Sequence, residues 1–297
     1  MLVANSTFRN KAVNCHGFTL VELVLVMLIT GIMAGVTYSV ISLPTESYEQ
    51  ITRRAALVDQ AEMALRRMQR DVRRALPNSI RLSGATTLEM VNVVEGIRYR
   101  SGPAGNPAAE LDFTTQDASF NTLGVFNTIA PNVNVPFRLV IYNQDPTSTG
   151  ANIYDASGAA AGTPQVVTPA AGTTINIAAP VGNETNIQLN PGHQFLLSSP
   201  QQRLYLIDTP ITYQCEGGRL IRYSGYAIVQ DQPANPLDPP LANAFSIADV
   251  TRNVTACNFA FAPGATQRSG VLLLSLTLSI GIEKITLLHQ VHVDNVP

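Results

Sequence analysis

An uncharged run of 21 residues, from Leu23 to Leu43, is the feature that most limits how this chain can fold. At about 1.5 Å per residue, a helix of that length extends roughly 31 Å, enough to cross the hydrocarbon core of a bilayer. Arg9 and Lys11 precede the run, and no acidic residue occurs among residues 1–17. Because positive charge before an apolar run favours the cytoplasmic side, the sequence predicts one membrane span with the rest of the chain on the opposite side.

A small residue, Gly17, stands before the apolar run rather than after it. In a secretory signal peptide an apolar stretch of about 7–15 residues comes first and the small-residue cleavage site follows. The reversed order predicts that cleavage after Gly17 removes a leader, residues 1–17. The span then stays in the mature protein, which begins at Phe18.

Glu22 places a carboxylate at the head of the span, where a charge costs up to about 3 kcal/mol. One interpretation is a side chain that reaches the lipid headgroups. The other is an ion pair, since the new α-amino group of Phe18 would lie one helical turn from Glu22. In a bundle of such helices, Glu22 of one chain would pair with that amine on its neighbour.

The run His16-Gly17-Phe18-Thr19-Leu20-Val21-Glu22-Leu23 resembles the class III signal of type IV pilins and type II secretion pseudopilins. This resemblance implies cleavage between Gly17 and Phe18 by a prepilin peptidase and N-methylation of Phe18 by the same enzyme. Glu22 matches the acidic residue of that family, which aligns and neutralises incoming subunits. The family therefore implies an assembly role for Glu22.

Gly31 and Gly35 form a GxxxG pair inside the span. Such a pair is typical of helices that approach another helix closely, as filament assembly requires. The alternative is two tolerated glycines on a lipid-facing helix. We favour helix packing.

Residues 44–77 are predicted to form an amphipathic extension of the helix that ends at Pro77. Many major pilins carry a proline at the position of Ser39, whereas the first proline here is Pro44, which suits a break. Apolar residues recur with a helical period. They are Ile51, Ala55, Val58, Ala61, Leu65, Met68, Val72 and Leu76. The opposite face is rich in arginine between Arg53 and Arg74, and it is either a docking surface or a solvated face with internal pairing.

Residues 78–297 are predicted to form a β-rich globular domain, because short β-prone runs alternate with turn residues. The fold class is α+β, with a long N-terminal transmembrane and amphipathic helix packed on a C-terminal antiparallel sheet. The last two strands are predicted to form a hairpin near Gly281. Residues 143–192 are rich in Ala, Thr, Gly, Asn and Pro and are predicted to be a loop insertion with short edge strands; residues 231–243 are a second loop.

Cys215 and Cys257 are the two cysteines that remain once the leader, with Cys15, has been removed. A domain outside the cytoplasm is in oxidising surroundings, so we predict a disulfide between them. His193, His289 and His292 are interpreted as ordinary strand residues, so no metal site is predicted. The sequence contains none of the common nucleophile, phosphate-loop or metalloprotease motifs, and we expect neither an enzyme nor a cofactor. A net charge of −2 argues against a nucleic-acid partner.

Segments beyond the span are similar to the MshO-type minor pilin-like components of the mannose-sensitive haemagglutinin (MSHA) pilus. The similar segments are Met68–Ser79, Gly96–Arg100, Tyr213–Cys215, Leu220–Tyr223 and Leu288–Val293. The resemblance implies a single-pass inner-membrane protein with a periplasmic C-terminal domain that primes or caps a filament. It also implies partners: other minor and major pilins, the prepilin peptidase and the inner-membrane assembly platform. Two alternatives remain open, a J-type minor pseudopilin of type II secretion and an adhesive module at the filament tip.

Overall fold

One long helix followed by β-strands makes up the fold. The computed structural model describes residues 17–102, 109–155, 162–263 and 269–293. The helix, α1, is Leu20–Arg73. Within the described residues the strands are β1 (Arg81–Ser83), β2 (Thr87–Tyr99), β3 (Asp117–Leu123), β4 (Val133–Val135), β5 (Arg138–Val140), β6 (Thr174–Ile177), β7 (Glu184–His193), β8 (Arg203–Glu216), β9 (Arg219–Ser224), β10 (Ser246–Arg252), β11 (Val254–Ala262), β12 (Gly270–Ile280) and β13 (Glu283–Val293). This arrangement confirms the predicted α+β class.

The chain divides into two units, Met1–Arg53 and Arg54–Pro297, and the division lies inside α1. The sequence prediction placed boundaries at 17/18, 43/44 and 77/78, which stay predictions about functional segments. Side chains of α1 from Leu57 onward pack on the strands and belong to the same core. The first 16 residues, including most of the predicted leader, lie outside the described part of the chain.

In the first unit, α1 begins at Leu20 and continues through Pro44 without interruption. The break predicted at Pro44 is therefore not observed. Proline removes one backbone donor and so one helical hydrogen bond, but the helix continues on both sides of it. The segment Leu20–Tyr38 is apolar enough to cross a membrane, with a mean hydropathy of 2.3 over 19 residues.

In the second unit, one face of α1 is buried against the strands, in agreement with the predicted amphipathic pattern. The buried residues are Leu57, Ala61, Ala64, Leu65, Met68 and Val72. Ile51 is 67% exposed, so the buried stripe starts later than the sequence pattern indicated. The helix also ends at Arg73 rather than at Pro77. The backbone amide of Leu76 donates to the carbonyl of Val91 (2.8 Å), and pairing with β2 thus replaces the last helical turn.

The larger sheet is antiparallel, and its strand order is β10-β9-β8-β2-β3-β7-β6-β4. Two short strands lie off this path, with β1 pairing with β2 and β5 with β8. The long strands β2 and β8 run along each other at the centre of the sheet. Strand β10 is the edge strand next to β9.

The smaller sheet has the order β11-β12-β13. Strands β12 and β13 form the predicted hairpin, in which Ile280 faces Glu283 and the turn is Gly281-Ile282. Gly281 has a φ of 61°, a left-handed conformation that glycine adopts at little cost.

The core of the second unit has two main parts. One contains α1, the smaller sheet and the adjacent ends of β2, β8 and β9. The other is built around Phe120, Leu139, Ile187 and Phe195 and fills the far end of the larger sheet.

Strand β7 lies within the stretch 143–192 that the sequence prediction assigned to loops with short edge strands. It is ten residues long and lies in the sheet interior, between β3 and β6. Thr185, Ile187 and Leu189 alternate with more exposed polar residues, as expected for a strand with one buried face. Only two of these inward residues are large and apolar. The alternation of apolar and polar residues along the sequence is therefore a weaker signal than the loop-like composition.

Candidate processing and assembly site

The predicted cleavage junction lies just before α1. Gly17, Phe18 and Thr19 are exposed and not helical, and the Phe18 side chain is 79% exposed. A peptidase needs an accessible, unfolded segment, and this junction offers one. Its other residues, including Cys15 and His16, lie outside the described part of the chain.

Thr19 and Glu22 form a reciprocal capping box at the start of α1. The backbone amide of Glu22 donates to the Thr19 hydroxyl (3.3 Å), and the backbone amide of Thr19 donates to the Glu22 carboxylate (3.4 Å). Two amides that have no partner within the helix are satisfied in this way, and the negative charge favours the helix N-terminus. Glu22 thus has a role within its own chain that the sequence interpretation missed, although the T-x-x-E pattern signals it.

The apolar segment after the cap has no partner within the described chain. None of the residues Leu20–Tyr38 is buried. The polar groups in this segment are satisfied locally: the hydroxyls of Thr30 and Thr37 donate to the carbonyls of Val26 and Met33, at 2.8 Å each. This arrangement suits an apolar solvent, where an unpaired hydroxyl is costly. The helix is consistent with a single membrane anchor, as in pilins.

Gly31 and Gly35 leave an open strip on this apolar helix. A Cβ atom built on either residue meets nothing within 4 Å in the described structure. The close approach predicted from the GxxxG pair is therefore not made within this chain. It stays a prediction about a helix from another chain.

Asp71 joins the second half of α1 to the sheet. Its Oδ2 accepts hydrogen bonds from the hydroxyl of Tyr213 and from Nε of Arg222, both at 2.7 Å. Burial, with Asp71 next to it, raises the pKa of Tyr213, so the tyrosine keeps its proton and donates. The sequence alone did not show that these three residues meet.

Glu89 is the centre of a second polar cluster, and its side chain is fully buried. It binds Nε of Arg81 (2.6 Å) and the hydroxyl of Tyr226 (3.0 Å). Burial raises the pKa of Glu89, and the charge of Arg81 partly offsets this effect. Arg81 also donates to the carbonyl of Val229, so the cluster anchors the start of the 231–243 loop.

Cys215 and Cys257 form a disulfide, with 6.3 Å between their Cα atoms. Cys215 lies on β8 of the larger sheet and Cys257 on β11 of the smaller one. The bond therefore links the two sheets covalently. The predicted pairing agrees with this geometry.

The three histidines interpreted as ordinary strand residues all lie on strands. The buried ring of His193 lies 3.3 Å from the carbonyl of Gln165, measured from Nε2, and His289 and His292 are on β13. In the ranges the structure describes, no group of three His, Cys, Asp or Glu side chains is placed to hold a metal ion.

Residues 13–38 match the family described as the prokaryotic N-terminal methylation motif. The match includes Gly17, Phe18 and Glu22, and it supports a type IV pilin-like or pseudopilin protein. Such a motif implies processing by prepilin peptidase and assembly with other pilins. The chain matches no curated protein and no solved structure.

Proposed function

We propose that this chain is a minor pilin-like subunit that primes or caps a type IV filament. In this proposal, prepilin peptidase cuts between Gly17 and Phe18 and methylates the new amine. The protein stays anchored in the inner membrane, with its β-rich domain in the periplasm, until α1 enters the filament core. An inner-membrane assembly platform and the other pilins are its partners.

The observation that carries the proposal is that the start of α1 is capped, whereas the apolar segment that begins there is exposed. The start of the helix is capped by Thr19 and Glu22, yet none of the 19 residues Leu20–Tyr38 is buried in the described chain. A helix with apolar residues on all sides is stable only in lipid or inside a bundle. A pilin-type helix lies first in lipid and then in the helix bundle of the filament.

The finer assignment to the MSHA pilus is supported by the segments that resemble MshO-type proteins. Three of those segments supply Asp71, Tyr213 and Arg222, and in the structure Tyr213 and Arg222 both bind Asp71. The same layout also suits a J-type minor pseudopilin, which we keep as the alternative.

An adhesive role at the tip is the second candidate, and it would use the exposed loops. Leu237, at 83% exposed, offers an apolar contact, although the 231–243 loop is anchored on its inner side by Gln214, whose Nε2 donates to the carbonyl of Ala234 (2.6 Å). Deleting the exposed tip of this loop separates the two roles. Lost adhesion with intact filaments supports the adhesive module, and lost filaments support assembly.

We propose a structural rather than an enzymatic role, without cofactor or nucleic acid. The polar clusters around Asp71 and Glu89 join elements of the fold to one another. Their side chains use their hydrogen-bonding groups on each other. They therefore support stability rather than chemistry.

Glu22 variants expressed in a strain lacking the gene test this proposal. Glu22→Ala loses both the cap and the charge, and we expect it to be cleaved but to enter filaments poorly. Glu22→Gln keeps a capping side chain but loses the charge. If the charge pairs with the Phe18 amine of a neighbour, both variants fail alike in sheared filaments; normal incorporation of both contradicts the ion pair.

Thr19→Ala is the matched control, because it weakens the cap and leaves the charge of Glu22 in place. We expect its incorporation to remain close to that of the wild type. A defect of Thr19→Ala as large as that of Glu22→Ala, with Glu22→Gln normal, would assign the role of Glu22 to capping alone.

A further inference from the structure

A groove runs beside the second half of α1, and we call it the arginine groove. One wall is the flank of α1 that carries Met63, Arg66, Arg67 and Arg70, and the other is Asp249–Asn253 at the end of β10. Its volume is about 990 Å³. Met63 is 65% exposed and adds apolar surface to this wall. The groove lies wholly within the second unit.

The charges in the groove are unevenly satisfied. Arg66 pairs with Glu62, Nε to Oε1, at 3.0 Å, and Asp249 is engaged by both Arg219 (3.4 Å) and Arg252 (2.9 Å). Arg67 and Arg70 are left without a carboxylate partner among the described residues.

The excess of positive charge continues along the helix. Arg67, Arg70, Arg73 and Arg74 line an adjoining depression of about 500 Å³ with Asp71 and Arg222, and Asp71 is already bound to Arg222. Like charges three or four residues apart on a helix repel each other. Within the described chain nothing neutralises these four arginines, so an external anion would relieve the repulsion.

The second wall of the groove supplies a different kind of contact. Among the described residues, strand β10 pairs with β9 alone, so the backbone on its outer side has no partner strand there. Val250 lies at a register shift between Asp249 and Thr251, on the same stretch. A lipid headgroup or a free phosphate would need only the arginines. Arginines, open strand backbone and the apolar surface of Met63 together suit a polypeptide.

We propose that the arginine groove docks an extended, carboxylate-rich segment of another filament subunit. The carboxylates pair with Arg67 and Arg70, while the backbone of the segment lies along β10. That the partner is a filament subunit rests on the proposed function. That the groove suits a carboxylate-rich segment rests only on the residues of the groove.

A labelled octapeptide of alternating glutamate and threonine is the first probe, measured by fluorescence anisotropy with the full chain in detergent micelles. The matched peptide has glutamine in place of glutamate. We expect the glutamate peptide to bind, and Arg67→Glu with Arg70→Glu to weaken its binding about tenfold. The control variant, Arg98→Glu with Lys284→Glu, changes the same net charge at exposed sites elsewhere and leaves binding unchanged.

Three outcomes overturn the proposal. The first is equal binding of the peptide to both double variants, and the second is no binding to the wild type. The third is complete displacement of the peptide by dioctanoyl phosphatidylglycerol, but not by dioctanoyl phosphatidylcholine, which would assign the groove to anionic headgroups. Near-UV circular dichroism shows that each variant is folded before binding is measured.

Photo-cross-linking in cells then identifies the partner. A benzophenone amino acid at Met63 is expected to give an adduct with another pilin through an acidic segment, and the Arg67→Glu, Arg70→Glu variant loses this adduct. The same amino acid at Ile282, which is 88% exposed, is the control position. Failed peptide binding with normal entry into filaments refutes the groove alone, whereas peptide binding without any entry into filaments refutes the proposed function alone.

Discussion

Similar apolar side chains are exposed in the first half of α1 and buried in the second half. In Leu20–Tyr38 all of them are exposed, whereas from Leu57 to Val72 one apolar face is buried against the strands. The chain supplies a partner for the second half and none for the first within the described residues. An exposed apolar surface of this extent marks contact with a membrane or another protein. The first half is thus built for surroundings that the chain itself lacks.

The acidic residues of α1 repeat this contrast. Asp71 binds two side chains of the sheet, Tyr213 and Arg222, which lie far away in sequence. Among the described residues, Glu22 binds Thr19, within its own first turn. One carboxylate joins the helix to the domain. The other caps the start of the helix, and its pairing with a neighbouring chain stays a prediction.

The largest predicted effect comes from a matched pair of leucine substitutions. Leu57→Ala creates a cavity in the core and should lower the free energy of unfolding by about 2–5 kcal/mol. Leu28→Ala, in the exposed half, should change it by less than about 0.5 kcal/mol. Urea unfolding of the full chain in detergent, followed by tyrosine near-UV circular dichroism, measures both. Equal losses for the two variants would remove the contrast between the halves.

Removal of the disulfide is expected to have the next largest effect. Replacing Cys215 and Cys257 by serine releases a link that spans 42 residues, and it should cost up to about 4 kcal/mol of stability. Reduction of the wild type gives the same loss if the bond alone is responsible. Quantitative labelling of both thiols in native, non-reduced protein would show that the bond does not form.

A smaller loss is expected when Asp71 is neutralised. Asp71→Asn weakens two charge-assisted hydrogen bonds and should cost about 1–3 kcal/mol. Asp59→Asn, on an exposed part of the same helix, is the control and should leave the unfolding midpoint in place. If the two variants behave alike, the bonds from Asp71 to the sheet do not hold the helix.

Several parts of this fold were readable from the sequence because their signals are local. The apolar run from Leu23 to Leu43 and the Gly281 turn specify a span and a hairpin through composition and spacing alone. Predicting the disulfide from the two cysteines required one further premise, that the domain lies in an oxidising compartment. For each of these features, the local sequence is compatible with few other structures.

Other parts were not readable, because their causes are distant in sequence. Strand β7 is interior only because β3 and β6 flank it, and its threonine and asparagine residues conceal that position. Asp71 finds Arg222 across 151 residues, a meeting that no local pattern indicates. The arginine face was left open between docking and solvation. The spacing of Glu62 and Arg66 indicates their pairing, and the structure confirms it. The sequence did not show that Arg67 and Arg70 lack a carboxylate partner among the described residues.

Mass spectrometry of sheared surface filaments tests most directly whether the exposed half of α1 finds its partner in a filament. The account predicts a peptide that begins at N-methylated Phe18, at low abundance beside a major pilin. The processed form found only in membranes, with none in the sheared fraction, would contradict a surface pilus subunit and favour a pseudopilin. A protein that retains residues 1–17 would contradict the processing on which the whole account depends.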